Sequence, residues 1–201
     1  MKINFDNNYL DNLNLQDLYK FCTGVSKKYF TLPSGREPYR LLVYLSSLFN
    51  NSILIDLGTS NGGSAIALSA NNQNQIISFD VNDRCETSFL QNENKFEKMP
   101  SLKNVDFIVT QDFTKYLSIF LNAPFIYLDI AHDGIWENIV LELLIKNNYK
   151  GIMLMDDIFQ FPEMKKIWDN LMFNKVDLTK YGHWSGTGLI DFSNQIQFEL
   201  K

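Results

Sequence analysis

The sequence predicts an α/β fold, a doubly wound and mostly parallel sheet that ends in an antiparallel hairpin. Two observations carry this. From residue 53 onward, short and nearly all-apolar runs alternate with helical patterns, the signature of repeated βαβ units. Near the end, Lys175–Tyr181 and Thr187–Phe192 are strand-like runs whose short Gly-containing connection leaves no room for a crossover helix, so they pair as a hairpin.

The elements follow in order. Ile53–Leu57 reads as the first strand and Ser64–Ala70 as its helix. Gln75–Val81, Val105–Thr110, Phe125–Asp129 and Gly151–Met155 read as four further strands, nearly all apolar, as expected when both sheet faces are covered. Helices are predicted at Arg84–Glu97, Thr114–Leu121, Trp136–Asn147 and Pro162–Met172. Residues 1–50 form an N-terminal helical and covering segment within one domain spanning residues 1–201.

Composition bounds the function. A chain of 201 residues, 45% hydrophobic, suits one domain with a full core. A net charge of −5, with its 18 basic residues scattered, argues against nucleic acid and for a small-molecule partner. Cys22 and Cys85 have neither metal-ligand spacing nor a disulfide framework, so reduced thiols and a cytoplasmic location are expected. No apolar run reads as a signal peptide or approaches the ~18 residues of a membrane span, so no membrane partner is expected. A homo-oligomer is compatible with the sequence, which does not fix oligomeric state.

The most informative stretch is Ile53–Ala70, a buried strand ending at Asp56-Leu57, a Gly-rich turn with Gly58, Gly62 and Gly63, and a helix. Such a turn brings backbone close to a ligand at the carboxyl end of a strand. The spacing lacks the middle glycine of a dinucleotide loop and the lysine of a P-loop, which disfavours a diphosphate. Asp56-x-Gly58-x-x-x-Gly62 instead resembles the first motif of class I S-adenosylmethionine (SAM)-dependent methyltransferases, and the alternation ending in a hairpin resembles their seven-stranded, Rossmann-like fold over roughly Tyr39 to Phe198. The resemblance implies that SAM is held by Asp56, Gly58, Thr59, Asn61, Gly62 and Ser64. Asp80, ending the second strand, would take the ribose hydroxyls, Asp112 the adenine amine, and Asp129 would border the same pocket.

Asp129-Ile130-Ala131-His132 after the fourth strand and Asp156-Asp157 after the fifth gather carboxylates and an imidazole. Clustered carboxylates repel unless a cation relieves them, and an oxygen-only set favours Mg2+ or Mn2+. The pattern resembles metal-dependent small-molecule O-methyltransferases, including those acting on sugars in macrolide tailoring. That resemblance implies Asp129, Asp156 and Asp157 as metal ligands and His132 as general base. Adjacent strand residues point to opposite faces, so Asp156 and Asp157 share a metal only if the backbone turns there.

Two further segments are candidates for substrate contact: Arg36 and Glu37 in the turn-rich stretch before the first strand, and His183 and Trp184 in the aromatic and hydroxyl-rich hairpin loop. His183 is also the rival base. The expectation is SAM-dependent O-methylation of a small polyhydroxylated acceptor, a sugar or glycoside, with a nucleotide sugar or glycan as one form of it. Open beside it stand a catechol- or amine-type methyltransferase and a non-catalytic SAM-binding subunit.

Overall fold

In a computed structural model, residues 2–22, 24–81 and 102–201 are described. The expected helix Arg84–Glu97 and Cys85 lie outside them. Nine strands are seen among the described residues: β1 Lys2–Phe5, β2 Ile53–Leu57, β3 Gln75–Asp80, β4 Val105–Val109, β5 Phe125–Leu128, β6 Ile152–Asp156, β7 Asn174–Asp177, β8 Thr187–Asp191 and β9 Gln197–Leu200. The helices are α1 Asn7–Asp11, α2 Gly24–Tyr29, α3 Tyr39–Ser46, α4 Gly63–Leu68, α5 Leu117–Asn122, α6 Ile135–Lys146 and α7 Pro162–Asn170, with 3-10 turns at Gln16–Phe21 and Phe113–Tyr116.

The seven strands β2 to β8 form one sheet in the order β4-β3-β2-β5-β6-β8-β7. All neighbouring pairs are parallel except those of β8, which enters antiparallel between β6 and β7. Side chains alternate across each strand, so Leu54, Ile76, Tyr127 and Leu154 pack into one apolar layer with α3 and α4, while Ile55, Ile77, Leu128 and Met155 pack into the other with α6 and α7.

Two expectations are refined and one pairing is added. The run Lys175–Tyr181 keeps strand geometry only to Asp177, because Leu178, Tyr181 and Gly182 close a turn. The helix expected at Thr114–Leu121 is split into a 3-10 turn, capped by Asp112, and then α5. A second, two-stranded parallel sheet joins β1 to β9 in register Lys2↔Gln197 to Phe5↔Leu200, a long-range pairing that local pattern does not announce.

The segment before β2 is fastened by Arg40, whose Nη1 donates to the carbonyls of Leu10, Asp11 and Leu13 at 3.0, 3.1 and 3.2 Å and whose Nε donates to that of Leu32 at 2.8 Å. No helix among the described residues is long and apolar enough to cross a membrane.

Candidate active site

The strand order reverses beside β2, and the polar residues that end the apolar runs collect at the carboxyl ends there, where open parallel sheets bind ligands. A cavity of about 680 Å³ opens at that edge, a size suited to a small molecule. Gly58 and Ser60 line it from the turn after β2, Asp80 from β3, Phe113 from the segment after β4, and His132 and Trp136 from the region after β5. Its described lining contains no lysine or arginine.

The Gly-rich turn is held from below. Asp56 is fully buried, and its Oδ2 accepts from the hydroxyls of Ser64 at 3.0 Å and Ser78 at 2.6 Å, while Thr59 Oγ1 lies 2.6 Å from Ser78 Oγ. Burial pushes the Asp56 carboxyl up to about 7, the two serine hydrogen bonds pulling against it. Where the sequence expectation set Asp56, Thr59 and Ser64 against the cofactor, the structure sets them under the turn as its support. Asn61 Oδ1 accepts from Gly63 N at 3.4 Å and Gly62 N donates to Thr59 O at 2.7 Å, which closes the turn. Asp80 Oδ2 accepts from Ser60 N at 2.9 Å and faces the cavity as expected of it. Asp112 instead is exposed and caps the 3-10 turn at Thr114; its neighbours Gln111 and Phe113 line the cavity.

Beside the cavity lies a cluster of acids and imidazoles. Asp157 has φ 57°, a left-handed conformation, so the chain turns directly after Asp156 and both carboxylates reach one imidazole. His183 Nδ1 is 3.4 Å from Asp156 Oδ2 and 3.2 Å from Asp157 Oδ1. His132, also at φ 57°, sets Nε2 3.3 Å from Asp129 Oδ1 and Nδ1 3.3 Å from Asp157 Oδ2. The Tyr127 hydroxyl lies 3.2 Å from Asp129 Oδ2 and 3.0 Å from Asp156 Oδ2, one proton between two carboxyls. Thr187 donates to Asp156 Oδ1 at 3.1 Å, and Ser185 donates to Asp157.

The electrostatics follow from this crowding. Burial and then the charges of Asp156 and Asp157 hold the Asp129 carboxyl well above its ordinary range. Burial would raise Asp157 too, but hydrogen bonds from His183 and Ser185 and the nearby His132 bring it below. Burial would lower His183, yet its contacts with Asp156 and Asp157 raise it to about 10. Glu37, half-buried, is pushed up by burial and by Asp156 and Asp157, with His183 opposing. Of the expected substrate contacts, Glu37 and His183 thus belong to the cluster, whereas Arg36 is exposed and Trp184 is 66% exposed.

The expected all-carboxylate ligand set is rearranged. Donor atoms within 4.8 Å of one another fall into two sets sharing Asp157, one with Asp129 and His132 and one with Asp156 and His183. Carboxylates crowded at this spacing are the arrangement a cation relieves, so the residues fit a divalent ion, with nitrogen as well as oxygen in reach.

Sequence reasoning missed the supports. Glu137 is buried in the first turn of α6 and accepts from His132 N at 2.7 Å and Gly134 N at 2.9 Å, shaping the loop that carries the imidazole. An acid three residues after a glycine at a helix start was the available signal. Tyr127, two residues before Asp129 on its strand, shares its face, a periodicity that could have found it.

No protein-family model matches the sequence, and no curated protein matches it. Solved structures do. The O-methyltransferase TomG from Streptomyces achromogenes, involved in tomaymycin synthesis and solved in complex with SAM, matches at TM-score 0.53 and 12% identity over 92% of this chain and 94% of that one. The SAH-bound methyltransferase PaMTH1 from Podospora anserina matches at TM-score 0.55 and 12% identity over 76% of each chain. A methyltransferase from Geobacter sulfurreducens matches at TM-score 0.52 and 11% identity over 90% and 94%. This chain has the class I SAM-dependent methyltransferase fold. Within that methyltransferase fold the cavity suits SAM, a nucleoside carrying an amino acid and no phosphate: it offers aromatic faces at Phe113 and Trp136 and a carboxylate at Asp80.

Proposed function

We propose that the chain is a SAM-dependent O-methyltransferase acting on a hydroxyl of a small polyhydroxylated acceptor, a sugar or glycoside, with help from a divalent cation. One observation carries the reading: Asp129 and His132 belong both to the lining of the cavity and to the acid–imidazole cluster, so a methyl-donor site and a proton-handling site adjoin.

SAM supplies a sulfonium methyl that an oxygen nucleophile takes by direct displacement, and a divalent cation lowers the pKa of a hydroxyl bound to it. Asp80, braced by Ser60 N, holds the ribose hydroxyls of the donor. A divalent cation would be held around Asp157, with Asp129 on one side and Asp156 on the other and an imidazole in reach of each pair. His132 takes the proton of the acceptor hydroxyl at Nε2, since Nδ1 is buried against Asp157. Asp129 and Asp157, each 3.3 Å from a ring nitrogen, orient the imidazole.

A second reading makes His183 the base. Its Nδ1 is fixed by Asp156, Asp157 and Ser185, the last at 2.8 Å, while its Nε2 makes no hydrogen bond among the described residues. His132 is preferred because it lines the donor cavity.

The test is calorimetric titration of SAM, S-adenosylhomocysteine (SAH) and NAD, each with and without Mg2+ and Mn2+, followed by turnover of hydroxylated acceptors. Binding of the two SAM compounds without NAD supports the reading, and binding of NAD alone overturns it. His132→Ala should lower turnover about 10²- to 10⁴-fold with SAM affinity unchanged; full activity of that variant moves the role to His183, and catechol turnover in place of sugar turnover reassigns the acceptor. A non-catalytic SAM-binding subunit would turn over no acceptor and bind SAM alike in both proteins.

A further inference from the structure

Tyr39 opens α3, directly before the cofactor strand in the chain, and its ring is locked in place. It stacks on the fully buried Phe30 with ring centres 4.6 Å apart and planes 11° apart, and lies 6.4 Å from Tyr29 on a nearly parallel plane. The hydroxyl end rests on the Gly-rich turn. A Cβ at Gly63 would lie 2.8 Å from the Tyr39 oxygen and 2.9 and 3.0 Å from ring carbons, closer than real side-chain contacts allow, so Gly63 is the vacancy that Tyr39 fills.

The same side chain lies within electrostatic reach of Glu37, Asp129 and Asp156. It therefore stands between the turn and the acid cluster, the two halves of the site. Among the described residues its hydroxyl makes no hydrogen bond. A phenol is protonated near neutrality and has one hydrogen bond to donate.

We propose that the Tyr39 hydroxyl donates a hydrogen bond to the amino-acid carboxylate of the methyl donor and so fixes the methionyl half at the Gly-rich turn. The inference rests on the SAM reading above and deepens it. Chemistry singles out the carboxylate: the ammonium and sulfonium of SAM offer nothing to a hydroxyl donor, and the nucleoside end belongs to Asp80, Phe113 and Trp136 in the cavity, whose lining does not include Tyr39.

The test is calorimetry of wild type and Tyr39→Phe with two probes, SAH and 5′-methylthioadenosine, which has the same nucleoside and a thioether but no amino acid. The phenylalanine ring keeps the stack on Phe30, so the melting temperature should stay unchanged. SAH binding should weaken about tenfold while 5′-methylthioadenosine binding stays within about twofold. Unchanged SAH affinity, or equal weakening of both probes, overturns the inference and leaves the SAM reading intact. A wild type that binds neither probe overturns the SAM reading itself, and this inference with it.

Discussion

The His132 and Asp157 side chains meet 3.3 Å apart, although one follows β5 and the other β6, and both residues have φ 57°. Each loop spends conformational strain to turn its side chain toward the other, at a position that asparagine tolerates better than other non-glycine residues. Asp157→Asn should thus keep the backbone while removing the charge shared by both donor sets. Turnover should fall at least about 100-fold, with SAH affinity within about twofold, measured by methyl transfer and calorimetry in parallel. An active Asp157→Asn would remove Asp157 from the cation site.

Asp80→Ala should act on the other half. It takes away a cavity carboxylate and the acceptor for Ser60 N, so SAM and SAH should bind about ten- to hundredfold more weakly. Saturating donor should recover most of the turnover, and steady-state kinetics read as a raised KM for SAM would check it.

Glu137→Ala leaves the N–H groups of His132 and Gly134 without their acceptor. The cost should be about 3 kcal/mol of stability, read by chemical denaturation, with Glu137→Gln losing roughly half as much because its single amide oxygen still serves one donor. Equal stability of wild type and Glu137→Ala would show that the loop does not depend on this acid.

The Asp56 carboxyl gives a pH dependence of definite sign. Folded, it keeps its proton up to about 7, whereas in the unfolded chain the proton leaves near 4. The folded form therefore binds more protons between those values, and stability falls as pH rises through that window, by a few kcal/mol at most, roughly. Asp56→Asn should flatten this decline in melting temperature between pH 4 and 7; a decline of the same size in the variant would place its origin in other groups.

The parts legible in sequence are those that local chemistry dictates. Ile53–Leu57 is recognisable because a strand covered on both faces is a continuous apolar run, and Asp80 because a polar residue ending such a run sits at the ligand edge. Period-two alternation requires a turn between Asp156 and Asp157 if they are to share a partner, and the left-handed φ of Asp157 supplies it. Long-range relationships were not legible. His183 joins Asp156 and Asp157 only because β8 inserts beside β6 and carries its preceding loop to that strand end, which no spacing encodes. Asp112 reads as a cofactor acid by position, and the structure adds a local role that the reading did not include: its Oδ1 accepts from the N–H and hydroxyl of Thr114. Asp56 and Thr59 point into the core because their strand end is enclosed by Ser64 and Ser78, one from the following helix and one from the neighbouring strand.

Gly58 holds the two halves of this site at a fixed spacing. With φ 103° and no side chain, it lets the turn after β2 press against the Asp129 carbonyl so closely that a single added carbon would overlap it. The Gly-rich turn and the acid cluster are thus carried on one shared fulcrum, not on separate walls that drift apart. A larger residue at position 58 would act as a wedge, lengthening the path the methyl group must cross while leaving each half's own residues in place.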